Sequence, residues 1–322
     1  MNPEGREGVG IPHRISMGRS GKNISAFDRY SGMIPNYKDF LESLRQDLPV
    51  SIRVNTLKIS VASFRHFMFE RRYAIKPVPG MDEAFLLQGV DAPGATLEYA
   101  LGYYHIQGLS SMLPARALGA QSGEVILDLC AAPGGKATHV AQLLENRALL
   151  VANDVKPHRL NILRSHIARL GTTSILVTRY YGQNFPLRMT FDRILLDPPC
   201  SAEGTYRVSS SPPLTEDPNA LVPLTRIQRS LLARALDILK PGGTLVYSTC
   251  TYAPEENEAV IHEIVENGRG EILPLSLPFD CTPGLTSWKG RSFHPDLAKS
   301  ARLYPHQVNT WGFFIACLRK RN

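Results

Sequence analysis

Two cysteines stand where apolar runs end and chemistry can begin. Cys200 closes Ile194-Leu195-Leu196-Asp197-Pro198-Pro199-Cys200, and Cys250 closes Leu245-Val246-Tyr247-Ser248-Thr249-Cys250. A free cysteine taken alone is usually inert packing. Two at the carboxyl ends of neighbouring strands, one after Asp-Pro-Pro, suit a different task. Carbon 5 of a pyrimidine is a poor nucleophile. A thiolate that adds to carbon 6 makes the ring enamine-like, and the ring can then attack an electrophilic methyl group. A free thiol ionises near pH 8.5, so the site must help to form the thiolate. Asp197 can hold the N3/N4 edge of the base, and the prolines fix extended backbone beside it. A base must later remove the C5 proton, and a second cysteine fits that step.

Such residues need a scaffold, and Glu124 to Lys136, EVILDLCAAPGGK, supplies its centre. The apolar run reads as a buried strand of a parallel sheet. It breaks into Cys130-Ala131-Ala132-Pro133-Gly134-Gly135-Lys136, where the glycine pair permits a tight turn and close approach of a ligand. Strand, small-residue turn and helix form a nucleotide-type cofactor site at the sheet edge. A phosphate-binding loop is excluded, because Cys130 and Ala137 stand where its leading Gly and trailing Ser or Thr belong. No G-x-G-x-x-G is present in the turn either. Asp154, after the next strand, can accept both hydroxyls of a bare ribose.

The remaining elements follow by pattern. Residues 1–24 read as a flexible lead-in. Residues 25–100 read as a small α+β module: two short helices divided by Pro35, a strand at 51–57, a helix at 61–72 and strands at 74–78 and 85–87. Pro93-Gly94 marks a hinge. Residues 101–322 then alternate strands and helices. The strands fall at 124–130, 149–154, 175–178, 191–197, 244–248 and 311–318. A helix at 157–170 ends on Gly171, and Pro254 opens another with Glu255, Glu256 and Glu258 at its positive end. The expectation is an α/β fold with a mainly parallel sheet of seven strands. His105, beside two tyrosines, reads as structural.

Charge points to the partner. The 322 residues carry a net charge of +7, and residues 1–80 hold 13 lysines and arginines against 7 acids. A basic front on a near-neutral body suits a polyanion such as nucleic acid. The five cysteines are odd in number and form no C-x-x-C clip. That argues against a disulfide framework and a structural metal, and it fits a reducing, cytoplasmic setting. No run of 18 apolar residues exists for a membrane span, and no coiled-coil heptads suggest more than a monomer.

CAAPGGK, LLDPPCS, PGGTLVYSTCTYAPEENE and RLYPHQVNTWGFFIACLRK together resemble the Sun/Nop family of RNA cytosine-5 methyltransferases. SIRVNTLKIS and YYHIQGLSSMLP resemble its N-terminal module, close to the bacterial 16S rRNA branch. The resemblance covers residues 27–322. It implies a Rossmann-like domain that binds S-adenosylmethionine. It implies Cys250 as nucleophile and Cys200 as the residue assisting release, whereas the Pro-Cys pattern of DNA enzymes would select Cys200. Cofactor contacts are implied at Cys130 to Lys136, Asp154, Arg159 and Asp197. Tyr181 stands where the family commonly has an Asp for the adenine amino group, and Gly108 stands where an acidic residue is common.

The expected function is therefore methylation of carbon 5 of a cytosine in RNA, ribosomal before transfer RNA. The front module is expected to grip the RNA backbone, and the base must be unstacked at a cost of a few kcal/mol. Two rivals are a DNA cytosine-5 methyltransferase using Cys200 and a non-catalytic RNA-binding assembly factor.

Overall fold

The computed structural model describes residues 24–212 and 219–321; the expected lead-in lies almost wholly outside them. Four antiparallel strands form a front sheet: β1 (Val50–Val54), β2 (Ala74–Val78), β3 (Met81–Gln88) and β4 (Tyr104–Ile106), in the order β2-β3-β1-β4. The helix Val61–Glu70 covers one face. Its Phe64 and Met68, four apart and so on one side, bury against Ile52, Val54, Phe85 and Tyr104. Ser60 caps it, accepting from the Ser63 amide at 3.0 Å.

Two features differ from the expected module of residues 25–100. The front sheet runs on to Ile106, because β4 pairs with β1. The first two helical segments, Ser25–Tyr30 and Tyr37–Ser43, leave the front sheet altogether. Phe27, Tyr30 and Phe40 pack with Tyr206, Tyr252 and Tyr304 of the large domain, with the Phe40 ring edge-on to Tyr252 at 5.2 Å. Aromatic rings bury large apolar areas, and in that cluster they pair edge to face.

The large sheet contains β5 (Val125–Asp128), β6 (Leu149–Asn153), β7 (Ile175–Thr178), β8 (Phe191–Leu196), β9 (Leu239–Thr249), β10 (Gly270–Leu273), β11 (Thr282–Pro283), β14 (Ala301–Leu303) and β15 (Phe313–Lys320). Short strands β12 (Ser287–Trp288) and β13 (Arg291–Ser292) form a separate ribbon. The sheet order is β11-β14-β15-β9-β8-β5-β6-β7, with β10 also on β15. Five central strands are parallel, and β15 runs antiparallel beside β9. The sheet has nine strands rather than seven: the six apolar runs read from the sequence are all strands of it, and β10, β11 and β14, which carry no continuous apolar run, are the other three.

Alternate residues feed two cores. Leu127, Ile194 and Tyr247 face the helices Leu221–Ile238 and Glu258–Glu266. Ile126, Leu195 and Val246 face the helices Leu109–Ala117, Gly135–Leu143 and Pro157–Leu170. Chain order reverses at β5, which lies between β6 and β8, so a crevice opens at the carboxyl ends there. Among the described residues no helix is long and apolar enough to cross a membrane.

Candidate active site

The turn after β5 is held from three sides. Gly134 has φ of +109°, and a Cβ there would lie 2.6 Å from Leu163 Cδ1, so only glycine fits. Arg159 donates to the Ala132 carbonyl and lies 3.2 Å from Asp154 Oδ2. Asp154, almost fully buried, also accepts from the Lys156 amide at 2.9 Å. Its carboxylate keeps free lone pairs after both contacts, while Arg159 acts as a brace between the turn and Asp154. Asn153 went unnoticed in the sequence. Its amide donates to Leu129 O at 3.0 Å and Tyr180 O at 3.1 Å, while its oxygen accepts from the Tyr180 amide at 2.8 Å. It thereby ties the loop after β7 to the turn. Tyr181 in that loop is exposed, and its backbone carbonyl accepts from the Asn184 amide.

Asp128 was also missed, as one acid inside an apolar run. It is buried at the end of β5, it lines the crevice, and among the described residues neither carboxylate oxygen has a hydrogen-bond partner. Burial raises its carboxyl to about 7, with Lys136 opposing the shift.

The cysteines meet because β8 and β9 are parallel neighbours, with Leu196 opposite Tyr247. The sulfurs lie 3.4 Å apart as free thiols. The Cys250 thiol is held below its ordinary value, first by a hydrogen bond from Cys200, then by Lys136 acting against burial and Asp197. The Cys200 thiol is pushed well up by the same hydrogen bond and by burial. Cys130 is pushed up by burial beside Asp128, so it lines the turn as a neutral thiol.

Asp197 joins the two halves of the site. Its Oδ2 accepts from Lys136 Nζ at 2.7 Å and its Oδ1 from Ser248 Oγ at 3.0 Å. Burial alone would lower the Lys136 ammonium, but the charge and hydrogen bond of Asp197 raise it. The loops carrying the cysteines are clamped by Glu256, which accepts from the Ser201 amide at 3.0 Å and Gln228 Nε2 at 2.8 Å. This corrects the expected helix at Pro254. Residues 254–257 form a turn, and the helix starts at Glu258. Glu255 pairs with Arg29, so Glu255 and Glu256 serve other contacts; only Glu258, paired with the buried Arg302, stands in the first turn of the helix.

The front sheet is bolted to the helix that follows the turn. Arg53 of β1 donates to Gln107 Oε1 at 3.0 Å, Thr138 Oγ1 at 3.0 Å and the Gln142 oxygen. Gln142 in return donates to Val54 O at 2.9 Å. Glu83 accepts from Arg116 at 2.8 Å and contacts His139 Nε2 at 3.2 Å. Arg53 is 1 % exposed, so it cannot touch RNA phosphate. Burial lowers its guanidinium to about 9. Lys58 likewise caps the Leu101 and Arg169 carbonyls. Arg53 on β1 is structural, whereas Arg65, Arg71, Arg72 and, on β2, Lys76 are exposed; of these Arg71 pairs with Glu98.

The contacts continue to the site. Gln107 donates to Ser111 O at 3.1 Å, and Lys136 donates to Ser111 Oγ at 3.3 Å. A cavity of about 420 Å³ opens between the front sheet and the turn, lined by His105, Asp128, Lys136, Asp197 and Trp311 among others. His105 Nδ1 lies 3.0 Å from the Arg169 guanidinium, which can only donate, so the imidazole proton sits on Nε2.

These residues fit an S-adenosylmethionine-type group: a cradle with no room for a Cβ at Gly134, an unpartnered buried carboxylate for a cationic amine, and Asp154 for hydroxyls. Comparison with known proteins agrees. The family model described as 16S rRNA methyltransferase RsmB/F matches residues 115–319, and that of the N-terminal domain of 16S rRNA methyltransferase RsmF matches 26–108. A tRNA (cytosine(49)-C(5))-methyltransferase of Pyrococcus abyssi is 36% identical, over 92% of this chain and 96% of that protein. A 28S rRNA (cytosine-C(5))-methyltransferase of Mus musculus is 37% identical over 88% of this chain. Ribosomal RNA small subunit methyltransferase F of Aliivibrio fischeri is 35% identical over the same share. The chain spans only 36% of the mouse protein and 60% of the A. fischeri one. A solved methyltransferase homolog from Pyrococcus horikoshii superposes with a TM-score of 0.80 at 34% identity, covering 92% of this chain and 99% of that one. NSun6 from the same organism, solved with SFG, also gives 0.80, at 26% identity, covering 93% and 98%.

Proposed function

Because the chain belongs to the 16S rRNA methyltransferase RsmB/F family, we propose that it methylates carbon 5 of a cytosine in RNA, with S-adenosylmethionine as methyl donor. The observation that carries this reading is the pair of free sulfurs 3.4 Å apart, beside the Lys136–Asp197 pair. S-adenosylmethionine, when bound, supplies an electrophilic methyl group. Asp128, the 130–136 turn, Asp154 and Tyr181 border its place.

Cys250 carries the thiolate, since its ionisation is eased and that of Cys200 is opposed. Its sulfur bonds to C6 while Asp197 holds the N3/N4 edge of the ring. Lys136 keeps Asp197 ionised and oriented. Once C5 carries the methyl group, its proton must leave before the S–C6 bond can break. Cys200 stands beside the adduct and assists that loss: after giving its own proton to solvent, its thiolate takes the C5 proton, the C–H pair re-forms C5=C6, and the Cys250 sulfur leaves as thiolate.

The family model names 16S rRNA, whereas the relative matched over nearly its whole length is a tRNA enzyme. We place ribosomal RNA first and transfer RNA second. The exposed Arg65, Arg72 and Lys76 suit the RNA backbone. A monomer in a reducing cytoplasm completes the reading. The DNA reading loses ground because the lowered thiol is Cys250 rather than the Pro-Cys residue. The test is transfer of labelled methyl to unmodified ribosomal and transfer RNA, ribosomal subunits included. Donor binding with no transfer to any of them would support the non-catalytic rival instead.

A further inference from the structure

Trp311 is a large aromatic left partly open at the cavity beside the turn. It is 40% exposed and lines the same cavity as Lys136 and Asp197. Among the described residues it joins no core cluster and no aromatic pair. An indole in that state has an unused stacking surface. Its six-membered ring lies against Gly108, where an added Cβ would come within 3.1 Å of Cε3 and 3.4 Å of Cζ3. Glycine at 108 is therefore what lets the ring settle there.

The backbone around the ring is fixed. Thr310 Oγ1 accepts from the Ser110 amide at 3.2 Å, and the Gly312 amide donates to Gly204 O at 2.9 Å. Gly204 in turn donates its own amide to Cys250 O at 2.9 Å. Two backbone hydrogen bonds thus tie Trp311-Gly312 to the nucleophile position. β15 starts beside the carboxyl end of β9, with Phe314 opposite Thr249, so the residues just before it sit at the catalytic edge. The backbone that carries the ring is anchored, the ring shares a cavity with Asp197, and among the described residues no aromatic ring pairs with it.

Resting on the reading of the site as an RNA cytosine-5 methyltransferase, we propose that Trp311 is a stacking platform for an unpaired nucleobase of the RNA, seated on Gly108 and registered to Cys250. A nucleobase is the fitting occupant because the cavity pairs this ring with the carboxylate that would hold a base edge, and every base offers a π face. Trp311 positions the strand; it takes no part in the bond changes.

The test uses the two tryptophans of the chain. Trp288 is half-buried, with its Nε1 donating to Glu255 at 3.3 Å, and Trp288→Phe leaves Trp311 as sole reporter. This protein is titrated with an unstructured cytidine-containing 12-mer RNA, and labelled RNA measures affinity for Trp311→Ala, Trp311→Phe and Gly108→Ala. The expected result is quenching of Trp311 emission, RNA affinity roughly tenfold weaker in Trp311→Ala, near-native affinity in Trp311→Phe and an intermediate loss in Gly108→Ala. S-adenosylhomocysteine affinity should stay within twofold throughout, which also reports intact folding. Unquenched emission with unchanged RNA affinity overturns the proposal, as does a loss confined to S-adenosylhomocysteine. Methyl transfer by the wild type, assayed separately, judges the enzyme reading: transfer with an indifferent Trp311 leaves that reading standing and overturns this one.

Discussion

Cys200 and Cys250 hold their sulfurs 3.4 Å apart although fifty residues separate them in the chain. Each ends a different parallel strand, and the pairing of β8 with β9 brings the two ends together. At that distance one thiol can donate to the other as a thiolate. The hydrogen bond between them is the largest cause of both shifts; beyond it, Lys136 favours charge on Cys250 against burial and Asp197, while burial, Asp197 and Glu256 keep the proton on Cys200.

That asymmetry has a pH signature. Adduct formation requires the Cys250 thiolate, so its rate falls as pH drops through the Cys250 value. The acid limb should lie below that of an ordinary thiol. Cys200→Ala removes the largest cause of the lowering and should move the limb to higher pH; Lys136→Met should move it the same way. The rate of a single turnover against pH checks this, and a limb unmoved in both variants would contradict it.

Asp128 links stability to pH in the opposite sense from a salt-bridged acid. Its folded value is about 7 against an ordinary value of 3.8, so between those values the native state holds a proton that the unfolded chain has lost. Stability should therefore fall as pH rises from about 4 to 7 and then level off. Asp128→Asn abolishes this titration. Without ligand it should be more stable than wild type at pH 8, by at most about 4 kcal/mol, with the gap closing near pH 4. It should also weaken S-adenosylhomocysteine binding by about tenfold, the loss of one charge-assisted contact. Urea unfolding at both pH values and a binding titration measure the two effects.

Arg53 is expected to matter for stability rather than for RNA. Arg53→Met leaves the Gln107, Thr138 and Gln142 oxygens without their buried donor. The cost should be about 3–5 kcal/mol, as for breaking a buried charged network. Arg65→Ala, on the exposed helix face, should change stability by less than about 0.5 kcal/mol. It should instead reduce RNA affinity and flatten its salt dependence. Denaturant midpoints and RNA titrations at two salt concentrations separate the two arginines.

The sequence made the catalytic edge legible because each parallel strand is an apolar run stopped by punctuation: Pro133-Gly134, Pro198-Pro199, or the polar Ser248-Thr249-Cys250. It could not distinguish Arg53 from Arg65, since burial depends on which sheet face meets the helix Gly135–Leu143. It hid β10, β11 and β14, whose two to four residues show no period. Glu256 read as a helix-terminus acid because Pro254 resembles a helix start; its burial beside Gln228 exists only after β8 and β9 have paired. Asp128 and Asn153 sit at the ends of apolar strands and look like ordinary interruptions until their partners, or lack of them, are seen. The choice between the two cysteines came from resemblance to a family; the spacing alone favoured the other one.

The most direct measurement places wild type, Cys250→Ala and Cys200→Ala side by side with labelled S-adenosylmethionine and unmodified ribosomal RNA, transfer RNA and ribosomal subunits, and runs the products on a denaturing gel. Cys250→Ala should transfer no methyl group and form no adduct. Cys200→Ala should accumulate a covalent protein–RNA complex, because the methylated base forms but is not released. Abolished transfer in Cys200→Ala together with an active Cys250→Ala would contradict the account and return the nucleophile to the Pro-Cys position.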